Sequence, residues 1–164
     1  MIPAQDFMRL ALELAANGSG KVSPNPMVGC VIVKDEKIIG KGFHSFYGQK
    51  HAEAEAIDSV LNKEDLQGAD LYVTLEPCNH FGNTPPCSNL ILQYGIKHVI
   101  IGTHDSNPIV SGKGIQHLKL NGVEITEGVL GSESREINKR FFTFHEKKRP
   151  YIILKWAETA DGFL

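Results

Sequence analysis

The sequence predicts an α/β fold: a three-layer sandwich with helices on both faces of a mixed, mostly parallel five-stranded sheet. Three observations predict it. First, 164 residues, 41% hydrophobic and 22% charged, suit one domain of ordinary size with a real core. Second, from residue 51 onward short β-rich runs alternate with amphipathic helical ones, the pattern of strands joined by helical crossovers. Third, two early strands are joined through a turn at Asp35-Glu36, a connection short enough for an antiparallel hairpin alone.

The elements follow in order. Ala4 to Ala16 places Phe7, Met8, Leu10, Ala11, Leu14 and Ala15 at helical spacing, and Asn17-Gly18 ends the helix. A loop rich in Ser, Gly, Pro and Asn runs to Pro24-Asn25-Pro26. Met27 to Val33 and Lys37 to Phe43 form the hairpin strands. His51 opens a helix whose apolar face is Ala52, Ala56, Ile57, Val60 and Leu61. Asp70 to Leu75 is a short strand stopped by Pro77, and a proline-rich loop leads to a helix over Cys87 to Tyr94. Lys97 to Gly102 reads as a buried strand, Ser111 to Asn121 as a helix and Val123 to Ile125 as a strand. Glu133 to Phe144 is a final helix carrying Ile137, Phe141 and Phe144.

Charge and hydropathy exclude several classes. Seventeen basic and nineteen acidic side chains leave a net charge of -2, which argues against a polynucleotide or an anionic membrane as partner. No apolar run reaches the ~20 residues of a membrane span. The N-terminus lacks the basic-then-apolar layout of a secretory signal, so the expected compartment is the cytoplasm. The pattern divides the chain into 1–144, the main domain, and 145–164. The latter is a basic linker followed by a fresh strand pattern at Tyr151-Ile152-Ile153-Leu154, the opening of a second domain. An extra strand on the same sheet is the other reading.

The chemistry lies in His51-Ala52-Glu53, Pro77-Cys78 and Cys87. Three cysteines cannot complete a disulfide framework. Cys30 sits in an apolar strand and reads as a core thiol, whereas Cys78 and Cys87 follow prolines in a polar loop. One imidazole and two thiolates make a three-ligand zinc site with an open fourth position, the catalytic arrangement. His80 or Cys30 as a fourth ligand would instead close the site and leave Glu53 without a role. With the position open, Glu53 is the residue to move a proton to and from the water bound there. His-x-Glu followed by Pro-Cys-x-x-Cys is the zinc-deaminase signature, although here eight residues separate Cys78 from Cys87.

The longer motif, Thr74-Leu75-Glu76-Pro77-Cys78-Asn79-His80-Phe81-Gly82-Asn83-Thr84-Pro85-Pro86-Cys87, is more specific. With Asn25 to Val33 and Asp105-Ser106-Asn107-Pro108, it resembles the N-terminal deaminase domain of the bifunctional riboflavin-biosynthesis deaminase–reductases, of the cytidine-deaminase-like fold. The likeness runs over almost the whole chain. It implies that His51, Cys78 and Cys87 bind one zinc ion and that Glu53 is the general acid/base. It implies a diaminopyrimidinone ribosylamino 5′-phosphate as substrate, with Asn25, His44, Ala52, His80, Asn83, Asp105 and Asn107 around it. It also implies a homodimer or homotetramer, and places NADPH in a reductase domain outside this chain. Asn83 departs from the family, which usually has a basic residue there. The charge facing the phosphate would then come from another cation, such as Lys50 or Lys113. A nucleoside or transfer-RNA deaminase of the same fold and a non-catalytic zinc-stabilised module are the competing readings.

Overall fold

The five strands share one sheet in the order β2-β1-β3-β4-β5 in the computed structural model, which describes residues 4–81, 85–107 and 110–162. They are β1 (Gly29–Lys34), β2 (Lys37–Phe43), β3 (Asp70–Leu75), β4 (His98–Thr103) and β5 (Glu124–Glu127). β1 runs antiparallel to both β2 and β3, while β3, β4 and β5 are parallel. Four strands therefore point one way and only β1 is reversed, which is the mixed, mostly parallel sheet expected. The hairpin turn is Asp35-Glu36, both at positive φ as a tight two-residue connection demands.

Strand alternation feeds two cores. Cys30, Ile32, Leu71, Val73, Val99 and Ile101 face one side, where they meet Ala52, Ala56 and Ile57 of α2 (Ala52–Ser59). Ile91 of α3 (Cys87–Gln93) and Ile115 and Leu118 of α4 (Lys113–Leu120) complete that layer. Val31, Val33, Tyr72 and Ile100 face the other side and pack on Phe7, Met8 and Ala11 of α1 (Ala4–Ala16). Because both faces are covered, the three inner strands β1, β3 and β4 read as nearly continuous apolar runs rather than as alternating ones. Among the described residues, no helix is long and apolar enough to cross a membrane.

Some expectations are corrected. The helix opened by His51 ends at Ser59, and Leu61, expected on its apolar face, is fully exposed. A 3-10 turn at Lys63–Leu66 follows, and it is Leu66 that is buried. The single final helix is two, α5 (Gly131–Ile137) and α6 (Lys139–Lys147), separated by Asn138. Phe142 faces the interior, while Phe144 is 58% exposed. Tyr151 to Leu154 form no strand; the run Tyr151-Ile152-Ile153-Leu154 and Trp156 lie exposed. The edge strands of the sheet are β2 and β5, and this segment pairs with neither.

The break at Asn138 has a purpose. Its carboxamide accepts from the Met27 amide at 2.8 Å and donates to the Met27 carbonyl at 2.7 Å, bridging 111 positions of sequence. This pins the loop that carries Asn25. Removing it by Asn138→Ala leaves both Met27 groups without these partners. We expect about 1–3 kcal/mol of lost stability, read as a shifted urea midpoint at unchanged slope.

Candidate active site

The site lies where β2, β3 and β4 end and β1 begins, at the carboxyl edge of the parallel strands. His51 is the N-cap of α2, in extended conformation; its ring makes no capping bond to the helix, while its carbonyl accepts from the Glu55 amide. Glu53 sits in the first turn, where a carboxylate is favoured by the helix dipole. What seats this helix so close to the sheet is Gly42 on β2. A Cβ there would lie 2.3 Å from the Ala56 amide nitrogen and 2.5 Å from the Ala52 carbonyl.

Cys78 follows the end of β3 by three residues, and Cys87 is the first residue of α3 behind its N-cap Pro86. A helix N-terminus has amides without intrahelical acceptors. Here the Cys87 amide donates to Cys78 Sγ at 3.4 Å, and the Ser88 amide donates to the Cys78 carbonyl at 3.1 Å. His51 Nδ1 lies 3.5 Å from Cys78 Sγ and 3.4 Å from Cys87 Sγ. The three ligand atoms fall within 4.8 Å of one another. Two soft sulfur donors and one imidazole, brought together from β3, α3 and α2, fit zinc. Among the described residues, neither Cys30 nor His80 joins this group; Cys30 is a fully buried core thiol, its pKa raised by burial.

The electrostatics follow from this clustering. Hydrogen bonding from Cys87 and from His51 pulls Cys78 down to about 4, so it is a thiolate at neutral pH. The bond to Cys78 holds the His51 imidazolium up to about 9. Cys87 shares its proton with Cys78 and is pushed up, burial adding to the effect. Glu53 is 3% exposed, and burial raises its carboxyl to about 7. Asp105 is raised to about 6, again mainly by burial.

A cavity of about 530 Å³ opens over this group. Asn25, His44, Ala52, His80, Asp105 and Asn107 all line it, together with His51, Glu53 and Cys78. His44 is buried and ordered by two contacts. Its Nδ1 donates to the Lys50 carbonyl at 3.0 Å, and Nε2 accepts from the Asn25 amide at 3.2 Å. That pattern fixes the neutral tautomer, in keeping with a pKa lowered by burial. The Asp105 carboxylate accepts from the Asn107 amide at 2.7 Å, which folds residues 105–107 into a tight turn. Asn83 lies outside the described residues. Neither Lys50 nor Lys113 lines the cavity, and Lys50 is paired with Asp58 at 2.6 Å.

Several cavity residues were not legible in the sequence. Phe141, Phe144 and His145 of α6 form one wall, with the His145 ring 4.4 Å from the Phe141 ring and tilted 52° to it. Their 3.6-residue spacing reads as an ordinary apolar face, so no local signal separates a cavity wall from a core. Glu76 also lines the cavity. An acidic residue closing the apolar run Leu71 to Leu75 is the one signal that would have singled it out.

Comparison with known proteins agrees with this geometry. A family model described as the cytidine and deoxycytidylate deaminase zinc-binding region matches residues 1–103. A protein of Buchnera aphidicola subsp. Schizaphis graminum, named diaminohydroxyphosphoribosylamino-pyrimidine deaminase, is 48% identical over 136 residues, covering 83% of this chain and 91% of that protein. The Aquifex aeolicus riboflavin biosynthesis protein RibD is 50% identical over 160 residues, 98% of this chain and 44% of that one. The crystal structure of a diaminohydroxyphosphoribosylaminopyrimidine deaminase/5-amino-6-(5-phosphoribosylamino)uracil reductase from Thermotoga maritima superposes with a TM-score of 0.91 at 52% identity. It covers 96% of this chain and 45% of that chain. The chain thus spans less than half the length of the Aquifex and Thermotoga proteins.

Fold, donor set and matches agree in placing the chain among proteins that carry a deaminase zinc-binding region. The chain belongs to the cytidine and deoxycytidylate deaminase family, in the branch that holds the Buchnera deaminase.

Proposed function

We propose that this chain removes the ring amine at C2 of 2,5-diamino-6-ribosylamino-4(3H)-pyrimidinone 5′-phosphate. Water replaces the amine, giving 5-amino-6-(5-phosphoribosylamino)uracil and ammonia. The observation that carries the reading is the buried Glu53 carboxyl beside the His51, Cys78 and Cys87 donors at the base of the cavity. The name of the Buchnera relative supports the choice of substrate.

His51, Cys78 and Cys87 are the proposed ligands. When bound there, zinc supplies a lowered pKa to a water in its open position. Glu53 is the group that takes a proton from the attacking water. Burial lifts its carboxyl above the usual carboxylate range, which suits both halves of the task, since it can accept the proton and then pass it to the departing amine. Burial serves the same end by excluding competing water from the carboxyl.

Asn25, with its amide turned to His44, is proposed to hold the heterocycle edge, since a carboxamide offers both a donor and an acceptor. Asn107 and Asp105 are assigned to the ribose side. His80, exposed at the cavity rim, faces the phosphate, and among the described lining residues no Lys or Arg is present. A polynucleotide would need such cations in number, which favours a small substrate.

The remaining expectations belong to the same proposal. They are an assembly as homodimer or homotetramer, read by light scattering, and a second domain opening within 145–164. The exposed apolar run at Tyr151 to Trp156 supports that second domain.

The test is ammonia release from the pyrimidine phosphate, with cytidine and transfer RNA in parallel. We expect turnover of the phosphate alone. Turnover of cytidine or RNA without it would replace this reading by a nucleoside or RNA deaminase. No turnover of any of the three by the zinc-loaded chain would leave a zinc-stabilised module.

A further inference from the structure

The chain carries a second buried carboxylate for which the chemistry above has no use. Glu76 follows β3 and has a side chain with no solvent exposure. A buried charge is costly unless it is hydrogen-bonded on every side. Its Oε2 accepts from the amides of Asp105 at 3.3 Å and Gly112 at 3.0 Å. Its Oε1 accepts from Gly114 at 3.2 Å and Ile115 at 3.4 Å. Three of these donors lie at the N-terminus of α4, whose dipole favours an anion. The exposed His104 adds Nδ1 at 3.9 Å from Oε2.

The partners matter more than their number. Asp105 and Gly112 flank the segment that bears Asn107 and Val110, two cavity residues. On its other side Glu76 is joined to Pro77 and Cys78, and its own amide donates to the Thr103 carbonyl at 3.0 Å. Gly114 completes the joint. A Cβ there would sit 1.9 Å from the Pro77 carbonyl oxygen, so only glycine lets the first turn of α4 press onto the metal-ligand loop.

We propose that Glu76 is a positioning residue, clamping the Asp105–Asn107 substrate turn at a fixed distance from the Cys78 end of the donor group. It acts through backbone amides 29 to 39 positions away, without itself being required to touch substrate. This rests on the assignment of Asp105 and Asn107 to the substrate.

Glu76→Gln tests it. The amide keeps the shape, but its NH2 faces two N–H donors that then lack an acceptor, so the turn loosens. With the pyrimidine phosphate as substrate, KM rises about tenfold or more, and kcat falls by less than that factor. One zinc per chain is retained, because Cys78 keeps its bonds from Cys87 and Ser88. An unchanged KM in a folded, zinc-loaded variant would overturn the proposal, as would loss of zinc together with activity. If Glu76→Gln does not fold, Gly114→Ala, which pushes α4 from Pro77, must raise KM in the same way, and an unchanged KM there overturns it too. Asn107→Ala separates the underlying reading. If it leaves KM unaltered, the substrate assignment fails; if it raises KM while Glu76→Gln does not, only the clamp fails.

Discussion

Glu53→Gln lowers kcat by about a thousandfold while one zinc per chain is retained. The size is that of general acid–base catalysis, about 10² to 10⁴, or roughly 4 kcal/mol of barrier at the middle of the range. Glutamine preserves the volume of the buried side chain and its contact with the cavity, but it cannot carry the proton. Metal analysis and steady-state kinetics on the same preparation check both halves. Activity within tenfold of the parent would remove Glu53 from the chemistry.

The same substitution has a stability consequence in the metal-free protein. Burial raises the Glu53 carboxyl from 4.5 to about 7. A carboxyl raised on folding contributes stability that is complete below about pH 4.5 and lost as pH rises through about 7. The glutamine variant has no such loss. It should therefore match the parent near pH 4.5 and exceed it at pH 8, by up to about 3 kcal/mol. Thermal melts of the two chelated proteins across that window read the difference. A variant gaining nothing at pH 8 would contradict a buried ionised carboxylate.

Metal loading is the second large effect. At pH 8 Cys78 is already a thiolate with its pKa near 4, whereas His51, near 9, and Cys87, raised by its bond to Cys78, each hold a proton. A ligand must be deprotonated, so His51 and Cys87 together give up about two protons per ion bound. Calorimetric titration in buffers of different ionisation heat counts them, and apparent affinity should rise about a hundredfold per pH unit below 9. A count near zero would mean that these two side chains are not ligands. Because binding to the folded form alone stabilises it, chelation should also lower the melting temperature. At a free ion concentration of 1,000 times Kd the loss corresponds to about 4 kcal/mol. Cys87→Ser should behave as the chelated parent does.

The metal motif was readable because its parts are short-range. His51-Ala52-Glu53 at a helix start and Pro77-Cys78 after a strand declare their chemistry within a few residues. The strands were equally plain: β2 and β3 were read with their observed limits, since both are bounded by turn residues or proline. The final helix was misread because Asn138 is a tolerable helix residue in isolation. Only its two bonds to Met27 show why the helix breaks there. Leu61 was assigned to an apolar face by periodicity, yet α2 had already ended. Local pattern sees spacing, not where a tertiary contact stops it.

Sequence by itself determined the α/β layering, the hairpin, the candidate metal donors and the candidate acid/base, because each depends on residue type and spacing within one segment. Only the tertiary structure decided which of the remaining polar residues share a cavity. It brought His44 against Asn25, turned Phe141, Phe144 and His145 of α6 into a wall, and gave Glu76 its four amides. The reason is physical. A buried carboxylate or carboxamide is defined by partners that must satisfy it, and those partners come from chain segments tens of residues away, where no local pattern records them.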